Sequence, residues 1–486
     1  MIIKRDDLQS YLEDTSNLKG SAELLYIPEN TQEVAMAIGE CVKENMAFTI
    51  SAGRTGTTAG CVPLEGAIIS LEKLKGIKID KSNRRGCFQG GVSLQEASQE
   101  AARYGLSLRA ASTEELAFVS GAVSTSASGV RGFGYGSIRK YVMSLDVVLS
   151  TKEQLTIKRG QFIARGRVFD FIHQGKHFNF TLPSYSMPTV KSQAGYFVCD
   201  NMDLIDLFIG SEGTLGVITS VELSLQDEPE DIFDSLIFFR SEKDAIAFAD
   251  KIKLLKEKGE ISPVSLEFFD GNSLDFLKPH YSFIPNKASG AIYFEQEGND
   301  SAMEKLASWI EESNASIDES IIADSPRLRD KIFQFRHRLP QEINEFLRHS
   351  NQVKVAADIA VANENFMEMY DFYKNKAQDC GIHYLNFGHI GESHLHFNFL
   401  PKTDQQSAKA KELLKLFCQK AVALGGTVSA EHGIGKIKRD YLKIMYSDDE
   451  IKQMIKLKKY FDPNCLLGLD NLFEKELLTS IINGNV

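Results

Sequence analysis

The chain has 486 residues, of which 43% are apolar and 25% are charged, a balance typical of globular proteins and not of disordered or fibrous ones. Its length exceeds what one ordinary core holds, so we expect two or three domains. With 55 Lys and Arg against 66 Asp and Glu, the formal charge is −11, which argues against a nucleic-acid-binding surface but permits a local cationic pocket for small anions.

The first half of the chain is predicted to alternate helices and strands. Capping patterns at Asn30–Glu33 and Ser93–Glu96 each precede apolar residues at helical spacing and predict helix starts. Residues 158–190, rich in aromatic and basic side chains, are predicted to be irregular. Strands are predicted at 67–71, 76–80, 87–92, 141–150 and 154–157.

The pattern changes after residue 230. A last helix is predicted from the capping pattern Ser447–Glu450 to the stop at Asp462-Pro463. The elements before it follow a β-α-β-β-α order, which predicts a second, ferredoxin-like domain. They are a strand at 235–240, a helix at 242–258, strands at 264–269 and 290–296, and a helix at 302–313.

A glycine-rich loop follows the β-prone run 47–50. Residues 53–60 read Gly-Arg-Thr-Gly-Thr-Thr-Ala-Gly and offer successive main-chain N–H groups and hydroxyls, which can bind a pyrophosphate. The loop is neither a P-loop nor a dinucleotide fingerprint. Taken alone, it is equally compatible with a plain glycine turn.

Histidines are concentrated in a second segment. His389, His394 and His396 lie within eight residues, and Glu431-His432 follows among glycines. In a strand His394 and His396 would share a face, and the preceding loop could return His389 to them. The seven cysteines form no CxxC pair, so a metal here would use nitrogen and oxygen ligands. Hydrogen-bonded structural histidines are the alternative interpretation.

Five segments in order resemble the FAD-linked oxidoreductases of the vanillyl-alcohol-oxidase (PCMH-type) superfamily, in the D-lactate dehydrogenase and glycolate oxidase flavoprotein-subunit branch. The resemblance runs from about Ala22 to Asp470. The segments are Gly53–Gly56 with Gly60, Ser120–Gly136, Gly210–Ile218, Gly388–His396 and Glu431–Gly433.

The resemblance implies an α+β fold with three parts. Residues 1–228 would form a PCMH-type FAD-binding domain of two α/β subdomains. Residues 229–425 would form a ferredoxin-like cap, or substrate, domain. Residues 426–486 would complete the active site and pack back on the FAD domain.

The same resemblance implies the flavin contacts. Ser51 and Arg54 stand where many relatives have Arg and Gly, so Arg54 either reaches a phosphate or points to solvent. Relatives with covalent flavin carry a His in this loop, and since none is present here, we expect FAD to be bound without a covalent link. The implied contacts are Ala52, Gly53, Arg54, Thr55, Gly56, Thr57, Gly60, Ser112, Gly121, Ser124, Thr125, Gly129, Val217 and Ile218.

The implied catalytic groups lie in the later segments. His389, His396 and Glu431 would bind a divalent metal (Zn, Mn or Fe), and His394, which replaces a usual Asn, is interpreted as structural. His432 would be the base. The implied carboxylate-binding groups are Arg336, with Lys354 and Asn398 as weaker candidates.

The implied reaction is the oxidation of a D-2-hydroxy acid, D-lactate-like or glycolate-like, with hydride transfer to flavin N5. A quinone or an electron-transfer protein would reoxidise the flavin. The alternatives are a flavoprotein subunit that serves as a relay in a larger complex, and a non-redox flavin transferase of the alkyl-dihydroxyacetonephosphate synthase type.

The expected location is the cytoplasm, with peripheral attachment at the inner membrane face left open. No apolar run approaches the roughly 20 residues that a membrane helix needs, and the first residues lack the apolar core of a secretion signal. The oligomeric state is open, with a homodimer as one option.

Overall fold

The structure, a computed structural model, describes residues 1–109, 112–229, 232–298, 300–323 and 325–482. Its first part, up to residue 229, mixes short helices with two main sheets. The helices are α1 (Thr31–Lys43), α2 (Leu94–Ala102), α3 (Val119–Ser124), α4 (Gly132–Tyr135) and α5 (Leu204–Phe208). The strands are β1 (Ile2–Lys4), β2 (Leu24–Ile27), β3 (Phe48–Ser51), β4 (Ala67–Ser70), β5 (Ile77–Asp80), β6 (Arg85–Gln89), β7 (Leu106–Ser107), β8 (Val142–Val148), β9 (Gln154–Lys158), β10 (Val168–His173), β11 (Lys176–Thr181), β12 (Val217–Ser224) and β13 (Gln226–Asp227).

The two sheets of this part differ in strand direction. The first has the order β1-β2-β4-β3, with β4 parallel to both of its neighbours. The second, of order β5-β6-β12-β8-β9, is antiparallel throughout. The glycine-rich loop leaves the carboxyl end of β3, while β12 opens with Val217 and Ile218. The glycine-rich loop and the first residues of β12 line the same cavity, which is described below.

The second part is built on one large antiparallel sheet of order β17-β14-β16-β15-β20-β21-β18, with β19 also paired to β21. Its strands are β14 (Ile232–Phe239), β15 (Ser262–Asp270), β16 (Gly290–Glu297), β17 (Ile321–Ile322), β18 (Val355–Ala356), β19 (Ile359–Ala360), β20 (His383–Gly388) and β21 (His394–Leu400). The helices that follow α5 are α6 (Glu242–Glu257), α7 (Gly271–Leu277), α8 (Asp300–Glu312), α9 (Pro326–His349), α10 (Phe366–Gln378), α11 (Asp404–Ala423), α12 (Arg439–Met445), α13 (Asp448–Phe461) and α14 (Lys475–Ile482).

The predicted helix starts are confirmed in atomic detail. The Asn30 side chain accepts from the Glu33 amide, and complete capping boxes form at Ser93–Glu96 and Ser447–Glu450. The predicted β-α-β-β-α order is present from β14 to α8, with the short helix α7 added between its second and third strands. Among the described helices, none combines the length and apolarity that crossing a bilayer requires.

Two predictions about the first part are wrong in detail. Residues 168–181, predicted to be irregular, form the hairpin β10–β11, because Phe169, Phe171, Phe178 and Phe180 alternate with polar residues and stack in its interior. The strand predicted at 87–92 ends at Gln89, where a turn replaces it.

The long helix α9 was not predicted as an element. Its buried side chains, Ile332, Phe335, Leu339 and Ile343, recur every three or four residues and form one face on the large sheet. Arg336 lies on this same face and is only 6% exposed. The helix therefore directs an arginine inward, not to solvent.

Candidate functional site

A cavity of about 1190 Å³ lies between the first part, the large sheet and the C-terminal segment. It is lined by nearly all of the residues predicted to form the site. Gly129 and Asn398 are not among its lining residues, although Ser128 is. The predicted residues that do line it are Ala52, Gly53, Arg54, Thr55, Gly56, Thr57, Gly60, Ser112, Gly121, Ser124, Thr125, Val217, Ile218, Arg336, Lys354, His389, His396, Glu431 and His432.

The glycine-rich loop presents free donors to this cavity. Among the described residues, none accepts a hydrogen bond from the main-chain amides of Gly53 to Thr58. A row of unused N–H groups at a cavity wall is an anion-binding arrangement. The loop therefore fits a pyrophosphate.

Arg54 is half-buried at the edge of this loop. Its guanidinium lies 4.7 Å from the ring centroid of Tyr11, and its Nη1 donates to Ser51 Oγ over 3.2 Å. Its φ of 57° places it in the left-handed region, which costs energy for a residue with a side chain. The cation is thus held beside the cavity and not released into solvent.

The predicted metal ligands come together at the turn between β20 and β21. One oxygen of Glu431, Oε2, lies 3.1 Å from His389 Nε2 and 3.9 Å from His396 Nε2. Donor atoms of His389, His394, His396 and Glu431 all lie within 4.8 Å of one another. Two imidazoles and a carboxylate on one side, open to the cavity on the other, suit a catalytic divalent metal.

The second oxygen of Glu431 is held from the first part of the chain. Its Oε1 accepts from Ser128 Oγ at 2.6 Å and forms an ion pair with Lys191, which also pairs with Glu392 at 2.7 Å. Burial would raise the pKa of Glu431, but His389 and Lys191 hold it well below its usual range. Lys191 therefore orients the Glu431 carboxylate and links it to Glu392.

Glu267 on β15 links two of the predicted site residues. Its Oε1 lies 2.5 Å from His389 Nδ1, and its Oε2 accepts from Arg336 Nε and Nη2 at 3.2 and 3.1 Å. Burial alone would lower the pKa of His389, but Glu267 and Glu431 raise it to about 10. A metal that binds here has to displace that proton.

His396 and His394 differ in what they contact. His396 faces the cavity, and burial together with the neighbouring imidazole of His394 holds its pKa well below the usual value, so it presents a neutral ring. His394 is fully buried, with Nε2 2.9 Å from Asp358 Oδ1. His394 therefore has a buried carboxylate partner, whereas His396 is the ring that faces the cavity.

His432 is oriented by Asp358, which lies between β18 and β19. Asp358 Oδ2 accepts from the main-chain amide of His432 at 2.9 Å and lies 3.3 Å from its Nδ1. Lys438 and Ser429 also donate to this carboxylate. Burial would raise the pKa of Asp358, but His432 and Lys438 keep it well below its usual value. With Nδ1 turned to Asp358, the opposite nitrogen Nε2 is left to act as a base.

The weaker carboxylate-binding candidates are placed differently. Lys354 lines the cavity, and burial lowers the pKa of its ammonium to about 8. Asn398 is fully buried, and its Nδ2 donates to the main-chain carbonyl of His396 at 2.8 Å. Lys354 is therefore positioned to meet a bound anion, whereas Asn398 supports the strand that carries His396.

The sequence analysis missed two polar side chains of the site, Glu267 and Asp358, and it did not assign Lys191 its bridging role. Each lies far along the chain from the group that it holds, 122 residues in the case of Glu267 and His389. Glu267 sits in an apolar strand and Asp358 in a short segment between strands. For Glu267, the sequence signal was a single acidic residue among the apolar residues of a strand.

Comparison with known proteins identifies the family. The model of the FAD binding domain matches residues 22–158, and the model of the C-terminal domain of FAD linked oxidases matches residues 229–468. The chain belongs to the FAD-linked oxidoreductases of the PCMH-type superfamily and is a flavoprotein.

Similar proteins include D-lactate dehydrogenases and a glycolate oxidase subunit. The D-lactate dehydrogenase of Anaerostipes hadrus is 28% identical over 93% of this chain and 89% of its own length. That of Archaeoglobus fulgidus is 27% identical over 92% and 90%. Glycolate oxidase subunit GlcD of Bacillus subtilis is 24% identical over 96% and 93%.

A solved structure of an alkyldihydroxyacetonephosphate synthase has a similar fold. It superposes with a TM-score of 0.65 at 16% identity, covering 96% of this chain and 81% of that one. At this identity the likeness concerns the fold alone.

Proposed function

We propose that this flavoprotein is a dehydrogenase that oxidises a D-2-hydroxy acid to the 2-oxo acid, with flavin N5 as hydride acceptor. The observation that carries the proposal is that His432 and the set of His389, His396 and Glu431 line the same cavity as the amide-rich loop 53–58. A base, a metal-ligand set and a loop that can bind FAD in one cavity are what this oxidation needs. We call that loop, residues 53–60, the flavin cradle.

Two groups would complete the chemistry. FAD would supply the hydride acceptor, and a divalent metal held by His389, His396 and Glu431 would make the substrate hydroxyl more acidic. The amides from Gly53 to Thr58 would bind the pyrophosphate, while Val217 and Ile218 would contact the adenosine half. The chain's own side chains then bind the acid and move its proton.

Arg336 binds the substrate carboxylate in this proposal. Glu267 occupies its Nε and Nη2, which fixes the plane of the guanidinium and leaves Nη1 for the acid. Lys354 adds a second positive charge on the cavity wall. The carboxylate is thereby held while the hydroxyl faces the metal ligands.

His432 removes the hydroxyl proton. Asp358 holds its Nδ1, so Nε2 accepts the proton and Asp358 stabilises the imidazolium that results. The ring of His432 stacks on that of His396 with centroids 5.3 Å apart, which places base and metal ligand side by side. The hydroxyl proton would thereby have an acceptor in the same cavity as the metal-ligand set.

We further propose the architecture and partners that this function implies. Residues 1–228 form the FAD-binding domain with two subdomains, 229–425 the ferredoxin-like cap, and 426–486 the segment that completes the site. The reduced flavin is reoxidised by a quinone or an electron-transfer protein.

Anaerobic spectral titration with D- and L-hydroxy acids tests the proposal. We expect D-lactate or a related D-acid to bleach the visible flavin band of the purified protein, with on the order of one equivalent consumed per flavin, and the L-acid to leave it unchanged. If no hydroxy acid bleaches the flavin, the chain is a relay subunit or a non-redox flavoprotein instead.

The metal is tested separately. We expect His389→Ala and Glu431→Ala to lose bound metal and turnover while keeping FAD, since neither residue belongs to the flavin cradle. Full activity of EDTA-stripped wild-type protein would refute the metal's role.

A further inference from the structure

Glu212 is a buried carboxylate that the proposed chemistry does not use. It lies in the turn before β12, is 7% exposed and lines the cavity. Its φ of 53° is in the left-handed region, where side chains are disfavoured. An acidic residue kept in a strained, buried position next to a cofactor cradle calls for a specific contact.

That contact is with the segment that carries the base. The two oxygens of Glu212 accept from the main-chain amides of Ile434 and Gly435 at 2.8 and 2.6 Å. We call Glu431–Gly435 the catalytic loop. Glu212 thus fixes the backbone two residues beyond His432.

Glycines in the catalytic loop allow this approach. A Cβ on Gly433 would lie 2.8 Å from Glu212 Cδ, and one on Gly435 would lie 2.1 Å from the main-chain oxygen of Thr58. Both residues have positive φ, 71° and 50°. The catalytic loop is therefore pressed against Glu212 on one side and against the flavin cradle on the other.

The flavin cradle contacts the catalytic loop directly. Thr58 Oγ1 donates to the carbonyl of His432 at 3.1 Å, and the Thr58 carbonyl accepts from the Lys436 amide at 2.9 Å. Asn471 joins both sides, since its Nδ2 donates to the carbonyls of Gly60 and Glu212 at 2.8 and 3.2 Å. These contacts give a direct path from the cradle to His432.

We propose that Glu212 is a positioning residue that couples occupancy of the flavin cradle to the geometry of the catalytic loop. FAD that orders residues 53–60 also orders Thr58 and Asn471, and through them and Glu212 the segment that carries Glu431 and His432. The roles of those two residues rest on the proposed function, but the coupling itself does not depend on any substrate.

Hydrogen exchange measures this coupling without turnover. Amide exchange is followed by mass spectrometry in the full-length protein, FAD-free and FAD-reconstituted, with peptides that cover residues 430–438. In wild type we expect FAD to slow exchange of the Ile434 and Gly435 amides about tenfold, within the usual range of coupling between sites. Equal exchange in the two states would overturn the proposal.

Glu212→Gln is the informative variant. The amide side chain keeps the size but offers one oxygen and one NH₂ group to two N–H donors, so one of the two bonds is lost. We expect this variant to bind FAD but to lose the FAD-induced protection of residues 430–438. Glu222→Gln, at a half-buried position on β12, the strand that follows Glu212, is the matched control and should behave as wild type.

A second variant covers the case in which Glu212→Gln does not fold. Thr58→Val removes the bond to the His432 carbonyl and should reduce the FAD-induced protection in the same peptide. Retained protection in either folded variant would contradict the assignment.

Kinetics separate positioning from general stability. We expect Glu212→Gln to lower the rate of flavin reduction by a D-hydroxy acid about tenfold or more, with substrate KM nearly unchanged, because the base is displaced and the carboxylate site is not. If no hydroxy acid reduces the flavin of the wild-type protein, that result counts against the proposed function alone. If FAD does not change amide exchange in residues 430–438, that result counts against the coupling alone.

Discussion

Glu267 holds His389 with a 2.5 Å contact between Oε1 and Nδ1. The other ring nitrogen of His389, Nε2, therefore faces Glu431. The Glu267 carboxylate holds Arg336 through its other oxygen. A carboxylate behind a metal-ligating imidazole orients the ring and raises its basicity. One buried acid thereby aligns the proposed metal ligand His389 and the proposed substrate arginine Arg336 on the same wall of the cavity.

Glu267→Gln should weaken metal binding about 10- to 100-fold, because the imidazole loses its charged partner. Arg336 also loses an ion pair, so KM for the acid should rise while FAD content stays at the wild-type level. Metal content after dialysis against graded chelator, together with steady-state kinetics, measures both effects.

The matched control is Glu260→Gln, an exposed glutamate on the turn before β15. It should leave metal content and KM unchanged. If Glu267→Gln retained metal as tightly as this control, Glu267 would have only a structural role.

Arg54 should contribute to FAD binding through its charge. We expect Arg54→Ala to raise the FAD dissociation constant about tenfold, since one charge-assisted contact to a phosphate is lost. Fluorescence titration of FAD-free protein measures the constant. Arg54→Gly relieves the positive φ as well, so it should be more stable to heat than Arg54→Ala while binding FAD equally weakly.

An exposed arginine serves as the control for this test. Arg103→Ala, which removes only a surface pair with Glu100, should not change FAD affinity. An unchanged FAD constant in Arg54→Ala would leave Arg54 with no role beyond its stacking on Tyr11.

Much of the site was predictable because its residues come in local motifs. The segments around Gly53, His389 and Glu431 combine glycine with polar groups, so their composition marked them before any contact was known. The helix starts at Asn30 and Ser93 were predictable for a similar reason, since a capping box is complete within four residues.

The supporting residues could not be predicted because their partners are distant in sequence. Glu267 lies in an apolar strand, and nothing near it specifies His389 or Arg336 as partner. The hairpin β10–β11 was missed because its aromatic alternation is embedded in basic residues, and α9 because Pro340 in its interior argues against a helix. Strand pairing and helix packing decide these cases, and neither is local.

Arg131 joins the first part of the chain to the large sheet. Its Nε and Nη2 donate to the two oxygens of Glu295, at 3.0 and 2.9 Å, and Glu295 is only 2% exposed. Arg131→Ala leaves this buried carboxylate unpaired, and because the Arg131 side chain itself is 43% exposed, we expect a destabilisation on the order of 1 to 3 kcal/mol. Differential scanning calorimetry should show a lower midpoint.

The double variant Arg131→Ala/Glu295→Gln tests the reason for that loss. Removing the unpaired charge of Glu295 should recover part of the stability, so the double variant should have a higher melting temperature than Arg131→Ala. If it melts at or below the single variant, the loss arises from packing and not from the unpaired charge.

Asp234 on β14 should make stability depend on pH. It is 6% exposed, and burial, reinforced by the neighbouring charge of Glu295, raises its pKa to about 7. Since the folded pKa lies above the unfolded value of 3.8, the folded state binds the proton more tightly, and stability falls as pH rises from about 4 to about 7. Asp234→Asn, which cannot ionise, should therefore gain stability over wild type between pH 5 and pH 8.

Thermal midpoints across that range measure the difference, with the exposed Asp318→Asn as the control. A difference between Asp234→Asn and wild type that stays constant with pH would mean that Asp234 does not titrate in this window.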